Sequence, residues 1–147
     1  MREIGKSDNT GTLVRFWPDA SIFIVTEYNK DILEGRLREL SYLNKQITIT
    51  LNDLRDIDEG GKTYSKTFYS EGGIREFVES IDKNANRLSL IPTVIYCNGL
   101  DAPSNVAVEV ALQYNAGYQE HIFSYVNNIN TIEGGTHVAG FRRSITR

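Results

Sequence analysis

Two hydrophobic periods alternate along this chain, and neither is kept for long. Leu33, Leu37, Leu40 and Leu43 recur at helical spacing, which predicts an amphipathic helix from about Asn29 to Asn44, with Lys30/Glu34 and Glu34/Arg38 as i,i+4 pairs on its exposed side. Gly35 inside it is a mild cost that the apolar stripe outweighs. Ile47, Ile49 and Leu51 then alternate with polar residues, the period of a strand with one buried face. A polar turn over Asp53–Lys62 leads into Tyr64–Tyr69, and the two runs predict a hairpin with a long loop. Helical spacing returns at Ile74, Phe77, Val78 and Ile81, with Ser70 as the expected cap. Beyond it, Thr93–Cys97 reads as a short strand and Asn98–Ser104 as a loop. Val106, Val108, Val110, Leu112 and Tyr114 alternate strictly; Asn115-Ala116-Gly117 supplies a turn, and Glu120–Asn127 is expected to return as the partner strand. Gly134-Gly135-Thr136 opens a last helix, with Thr136 as cap and Val138, Phe141 and Ile145 on its buried face. Ahead of all these, Leu13–Trp17 and Ile22–Val25 read as short strands. A chain that switches period in this way builds an α+β fold, helices on mostly antiparallel sheet.

Composition narrows what such a fold can do. The 147 residues, 40% hydrophobic and 24% charged, suit one or two small globular domains, and a domain boundary is expected near Ser70. A net charge of −3 argues against coating nucleic acid through bulk charge, although local basic patches remain open. No stretch approaches the roughly 18 consecutive apolar residues of a membrane span, and the amino terminus lacks an apolar signal core, so a cytoplasmic location with no membrane partner is expected. Cys97 is the single cysteine, which rules out an internal disulfide; it ends an apolar run and reads as a buried, inert thiol. His121 and His137, the two histidines, form no metal-ligand spacing and have no sequence-local nucleophile or carboxylate arrangement, so both read as structural. Gly61-Lys62-Thr63 copies the end of a phosphate-binding loop, but Asp56 stands where that loop needs glycine and Asp58 and Glu59 would repel phosphate; a hairpin loop is the better reading. Arg142, Arg143 and Arg147 cluster on the last helix, either as a solvated face or as donors to phosphate. From the residues alone, then, no active site emerges.

Four segments carry a resemblance. Gly11-Thr12-Leu13-Val14-Arg15-Phe16-Trp17-Pro18-Asp19, Arg36-Leu37-Arg38-Glu39-Leu40-Ser41-Tyr42-Leu43-Asn44, Ser70-Glu71-Gly72-Gly73-Ile74 and the long run Tyr125 to Arg142, with Glu133-Gly134-Gly135-Thr136-His137 at its centre, together resemble the amino-terminal half of the gyrase B family of type II DNA topoisomerases. The resemblance implies that residues 1–69 form the end of an ATPase domain of the Hsp90 and histidine-kinase fold group, and that residues 70–147 begin a transducer domain with a ribosomal-protein-S5-like fold. It implies ATP and Mg2+ as cofactors of a full-length protein, with double-stranded DNA, gyrase A and a second copy of gyrase B as partners. On the same grounds Gly11 and Thr12 fall beside the adenine pocket, and Arg142 and Arg143 fall on a helix that faces DNA.

Several family features have no counterpart between Met1 and Arg147. The catalytic glutamate, the magnesium-binding asparagine, the adenine-binding aspartate and the glycine-rich lid lie upstream of the Gly-Thr strand in the family, and the phosphate-sensing Gln-Thr-Lys segment lies downstream. The resemblance therefore implies a cut piece that does not hydrolyse ATP by itself, with no catalytic residue and no metal site of its own. The corresponding ATPase subunit of topoisomerase IV shares much of these motifs and is the alternative within the same architecture; a non-catalytic interaction module is the alternative outside it.

Overall fold

The computed structural model describes residues 5, 6, 8, 10–57 and 60–147, the side chain of Asp56 excepted. Its elements are α1 (Lys30–Leu43), β1 (Ile49–Ile57), β2 (Thr63–Phe68), α2 (Ile74–Asn84), β3 (Ile95–Asp101), β4 (Val106–Leu112), β5 (Tyr125–Val126), β6 (Ile129–Asn130) and α3 (Thr136–Ile145). Among the described residues the strands form three two-stranded antiparallel ribbons. The mixture of helix and antiparallel sheet is the α+β class that the switching periods predict.

Helix α1 starts where Asn29 accepts hydrogen bonds from the backbone N–H groups of Asp31 (2.9 Å) and Ile32 (3.1 Å), a cap that contributes about 1 kcal/mol. It lies on the β1–β2 ribbon, whose register pairs Ile49 with Phe68, Leu51 with Lys66 and Asp53 with Tyr64 on one face. That face is the buried one: Phe68 and Asp53 are among the few deeply buried residues. Glu34 therefore does not sit on the exposed side of α1. Its carboxylate points at the ribbon, accepting from the Tyr64 hydroxyl and the Lys66 ammonium, while Arg38 stands 3.8 Å away. These hydrogen bonds, Lys66 first and Tyr64 second, hold the Glu34 carboxyl below its ordinary value, and the same pairing raises Lys66. Lys30 reaches over the Tyr64 ring at 4.5 Å.

The β1–β2 loop is shorter than the pattern predicts. β1 continues to Ile57, because a register irregularity between Asp53 and Ile57 lets the strand absorb the polar residues that read as a turn. Asp53 is satisfied inside the strand by Arg55, which donates from its backbone N–H (3.0 Å), Nε (2.9 Å) and Nη2 (2.6 Å). Asp58 and Glu59 lie outside the described residues.

The N-cap of α2 is Gly73, not Ser70. Ser70 contributes indirectly: its hydroxyl accepts from the Gly73 N–H (2.9 Å) and donates to Glu76 (2.6 Å), which in turn accepts from the Gly72 N–H (2.8 Å). Gly73 itself has φ 64° and ψ −130°, a region open only to glycine at ordinary cost. The side chain of Phe77 on this helix stacks on Tyr42 of α1 (centroids 5.3 Å apart) and meets Phe123 (5.5 Å) and Tyr125 (6.4 Å), so one ring joins α1, α2 and the approach to β5.

Pairing in the carboxyl-terminal half differs from expectation. β4 pairs with β3, from Ile95↔Leu112 to Asp101↔Val106, and not with residues 120–127. Asn98–Asp101, expected as loop, belongs to β3, and the turn falls at 102–105, where Asn105 takes φ 54°. The alternation at 106–112 correctly marks a strand but carries no information about which neighbour it chooses. Of the expected return strand only Tyr125–Val126 is extended, paired with Ile129–Asn130 around a tight turn. Cys97, on β3, is exposed rather than buried.

Leu13–Trp17 and Ile22–Val25 are not strands. Asp19 organises a turn between them, accepting from the N–H groups of Ile22 (3.0 Å) and Phe23 (2.9 Å), but among the described residues no ladder partner covers either run. Leu13, Trp17 and Ile24 stay exposed. A strand needs a neighbour to satisfy its backbone, and apolar alternation alone does not supply one. The whole chain exposes 12651 Å², against roughly 7,600 Å² for a compact monomer of this mass.

Candidate functional site

Gly11 and Thr12 lie in an extended, exposed segment, and nothing stands within 4 Å of where a Gly11 side chain would begin. A nucleotide site needs a concave wall with converging donors. Among the described residues, no atom closes round the Gly11 position to form such a wall. Calorimetric titration of the 147-residue polypeptide with ATP should show no saturable heat; a micromolar isotherm would contradict this directly.

The carboxyl-terminal segment is better formed. A cleft of about 640 Å³ runs between residues 120–124 and the start of α3, with Phe123, Thr131, Gly135, Val138 and Arg142 among its lining. Gly135, not Thr136, caps α3, and no side chain bonds the cap. Val138 and Phe141 face inward as expected, whereas Ile145 is exposed. Arg142 donates from Nη2 to Glu120 at 2.9 Å, and both side chains are more than half exposed (58% and 62%). Such a pair is weak and screened by solvent. Arg143 is exposed on the same short helix. At the base of the cleft Ser124 and Thr131 bond through their hydroxyls (2.6 Å), and Thr131 meets His137 Nε2 at 3.1 Å.

Between the two halves lies a cluster that the sequence does not announce. Lys45, just past α1, makes an ion pair with Glu109 on β4 at 2.6 Å, and the Tyr96 hydroxyl on β3 donates to the same carboxylate. Burial raises the Glu109 carboxyl, but the hydrogen bonds from Lys45 and Tyr96 outweigh it and leave it below the ordinary value. Arg75 covers the Tyr96 ring at 4.0 Å. On and just past α1, Arg36 and Asn44 reach the turn of the β5–β6 ribbon. Lys45 and Glu109 are 64 residues apart in sequence, and Arg36 and Asn44 are 92 and 84 from Asn128, so neither period nor spacing marks them.

Of the remaining candidates, His121 Nε2 lies 2.7 Å from Arg87, Gly61 (φ 77°) and Lys62 lie in the β1–β2 connection, and Thr63 opens β2. Among the described residues no three His, Cys, Asp or Glu side chains come together as a metal site, and no helix is long and apolar enough to cross a membrane.

Comparison with known proteins gives this geometry a context. A family model described as DNA gyrase B matches residues 73–147. Among individual proteins, the chain is 63% identical over all 147 residues to the DNA gyrase B subunit of Chitinophaga japonensis, 55% over 147 residues to that of Cytophaga hutchinsonii, and 41% over 148 residues to that of Staphylococcus aureus. It covers 100% of itself in each, but 31%, 30% and 22% of those relatives, so it spans about a third of their length or less. Its fold matches the crystal structure of the B-subunit of the DNA gyrase from Myxococcus xanthus (TM-score 0.73, 24% identity, 86% of this chain and 38% of that one). It likewise matches the 43K ATPase domain of Thermus thermophilus gyrase B in complex with an aminocoumarin (TM-score 0.68, 26% identity, 86% and 32%). The matched family model begins where Gly73 turns the chain into α2 and takes in the cleft and the arginine-bearing helix, and with relatives aligned across every residue before it, this chain belongs to the DNA gyrase B family.

Proposed function

We propose that this segment is the joint of an ATP-dependent type II DNA topoisomerase, a gyrase B protein, in which it links nucleotide binding to the transport of DNA during supercoiling. Residues 1–69 are read as the end of the ATPase domain and residues 70–147 as the start of the transducer domain. The observation that carries this reading is the direct seating of α1 on both α2 and the β5–β6 turn, through Tyr42–Phe77 and Arg36–Asn128, within a chain that aligns throughout with gyrase B proteins. Motion of α1 cannot leave the second half undisturbed when aromatic rings and charged groups interlock across the boundary.

In the full-length protein ATP and Mg2+ are the cofactors, and Gly11 and Thr12 line the adenine side once the rest of the ATPase domain is packed on them. The partners are double-stranded DNA, gyrase A and a second copy of gyrase B, in the cytoplasm. Arg142 and Arg143 face DNA phosphate, with Glu120 as the group that Arg142 exchanges for it. The exposed apolar residues of 13–25 support the larger assembly, since a surface of this kind is normally covered.

The substitution Arg142→Gln in a full-length gyrase B tests the reading. Strand passage should fall by about tenfold, since one charge-assisted contact to phosphate is lost, while nucleotide affinity stays within about twofold. Equal losses in the two assays would count against a DNA-facing arginine and in favour of a general defect of folding.

A further inference from the structure

Of the chain's asparagines, only Asn98 is followed by glycine. It lies in the middle of β3, exposed to solvent, and nothing stands within 4 Å of where a Gly99 side chain would begin. Other asparagines spend their side chains on the fold. Asn29 caps α1, Asn44 donates to the Leu40 carbonyl (2.8 Å), Asn52 accepts from Ser65 (2.7 Å), and Asn115 donates to Asp82 (2.9 Å). The Asn98 carboxamide makes no hydrogen bond to any of the described residues.

This dipeptide has a chemistry of its own. The backbone nitrogen of Gly99 is a nucleophile next to the Asn98 carboxamide carbon, and glycine leaves it open, because no Cβ crowds the approach or restricts the backbone that must turn toward it. When that nitrogen gives up its proton and attacks, a bond forms from Gly99 N to Asn98 Cγ and the Cγ–Nδ2 bond breaks. The carboxamide nitrogen takes up a proton and leaves as ammonia. Water then opens the succinimide at either carbonyl, giving aspartate, or isoaspartate with the backbone rerouted through Cγ. The extended backbone of β3 opposes ring closure, so the reaction runs from brief openings of the strand. Such openings give up only the ladder to β4, since β3 has no second strand neighbour among the described residues.

The product lands in a defined place. Asn98 stands directly opposite Glu109 in the ladder, so their side chains share one face of the ribbon with Tyr96, two residues earlier on β3. On that face Glu109 accepts from Lys45 (2.6 Å) and from the Tyr96 hydroxyl, and Arg75 lies over the Tyr96 ring. We propose that Asn98-Gly99 is a self-modifying site: Asn98 deamidates spontaneously in the folded protein and places a second carboxylate beside Glu109, on the face that carries Lys45 and Arg75. The inference rests on the geometry of residues 45–109 and uses neither the nucleotide nor the DNA reading of the segment.

The test is peptide mapping by mass after a folded full-length gyrase B carrying this segment has stood in mildly alkaline buffer, with Asp-N protease, which cuts before aspartate but not isoaspartate, to separate the two products. The amide-to-acid mass gain should appear at Asn98 about tenfold faster than at the other asparagines of the segment, and Gly99→Ala should slow it about tenfold. Unfolding in urea should speed it further by removing the ladder. Where the new charge sits is read separately. Asn98→Asp, the modified state made directly, should slow acylation of Lys45 by an amine reagent about threefold relative to Asn98→Ser, because a second carboxylate favours the ammonium form. Modification of Asn98 only in urea, or no faster than at the other asparagines, would overturn the site; equal Lys45 acylation in Asn98→Asp and Asn98→Ser would overturn its placement beside Glu109.

Discussion

Replacing Gly73 with alanine should destabilise the start of α2 by about 3 kcal/mol. Two costs coincide there. The backbone at φ 64° and ψ −130° is one that an L-residue adopts only under strain, and a methyl at this position would stand 2.3 Å from Lys45 Cε and 2.6 Å from its Cγ. Lys45 can move aside only by disturbing its ion pair with Glu109. The neighbouring Gly72→Ala is the comparison: its methyl would stand 2.7 Å from Glu76 Cγ and 2.8 Å from its Oε1, on a flexible side chain, with no left-handed backbone to maintain. Hydrogen exchange at the α2 amides of a full-length gyrase B should accelerate on the order of 100-fold for Gly73→Ala and far less for Gly72→Ala. Adding Lys45→Ala to Gly73→Ala separates the two costs. Recovery of less than half the loss is expected if backbone strain dominates, whereas full recovery would show that the turn tolerates a side chain and that the collision alone was responsible.

The second large effect is expected at Phe77. Truncation to alanine removes contacts with Tyr42, Phe123 and Tyr125 together, and large-to-small changes of this kind cost about 3 kcal/mol at a half-buried site. Because the three partners come from α1, the approach to β5, and β5 itself, the loss should be shared rather than local. Slow-exchanging amides in α1 and α2 should lose protection in parallel, while the β1–β2 ribbon, which Phe77 does not touch through its ring contacts, should change little. Loss confined to α2 would mean that the aromatic cluster fills space without joining the two halves. Phe77→Leu should recover roughly half of the deficit by restoring volume without the ring.

What the sequence shows and what it hides follow from range. Helices α1 and α2 are legible because their information is local: a stripe at helical spacing places each to within a few residues. The β1–β2 ribbon is legible for a related reason, since one face alternates and the strands follow each other closely. Partner choice is another matter. The alternation of Val106 to Leu112 fits equally well against Ile95–Asp101 or residues 120–127, and periodicity does not choose between them. Leu13–Trp17 has the composition of a strand without a strand neighbour among the described residues, so its pattern does not become a strand here. The same reasoning explains Glu34, which charge pairing placed outward; its true partners, Tyr64 and Lys66, arrive from a ribbon 30 and 32 residues on. At the candidate site, Gly11, Thr12, Arg142 and Arg143 come from motif resemblance alone. The Lys45–Glu109–Tyr96 cluster and the Asn128 seat on α1 were invisible, because ordinary surface residue types carry them and folding alone brings them together.

A ribbon of only two strands has a consequence outside the chain itself. β3 and β4 pair with each other and, among the described residues, with no further strand, so each leaves one row of backbone donors and acceptors unmatched, beside the uncovered side chains of Val106 and Val108. Within a larger sheet those rows are docking places for further strands. Detached from it, they are templates on which any extended polypeptide, including another copy of this one, can crystallise its own backbone, so that severing the segment from its surroundings converts a growing point of the fold into a nucleus for aggregation.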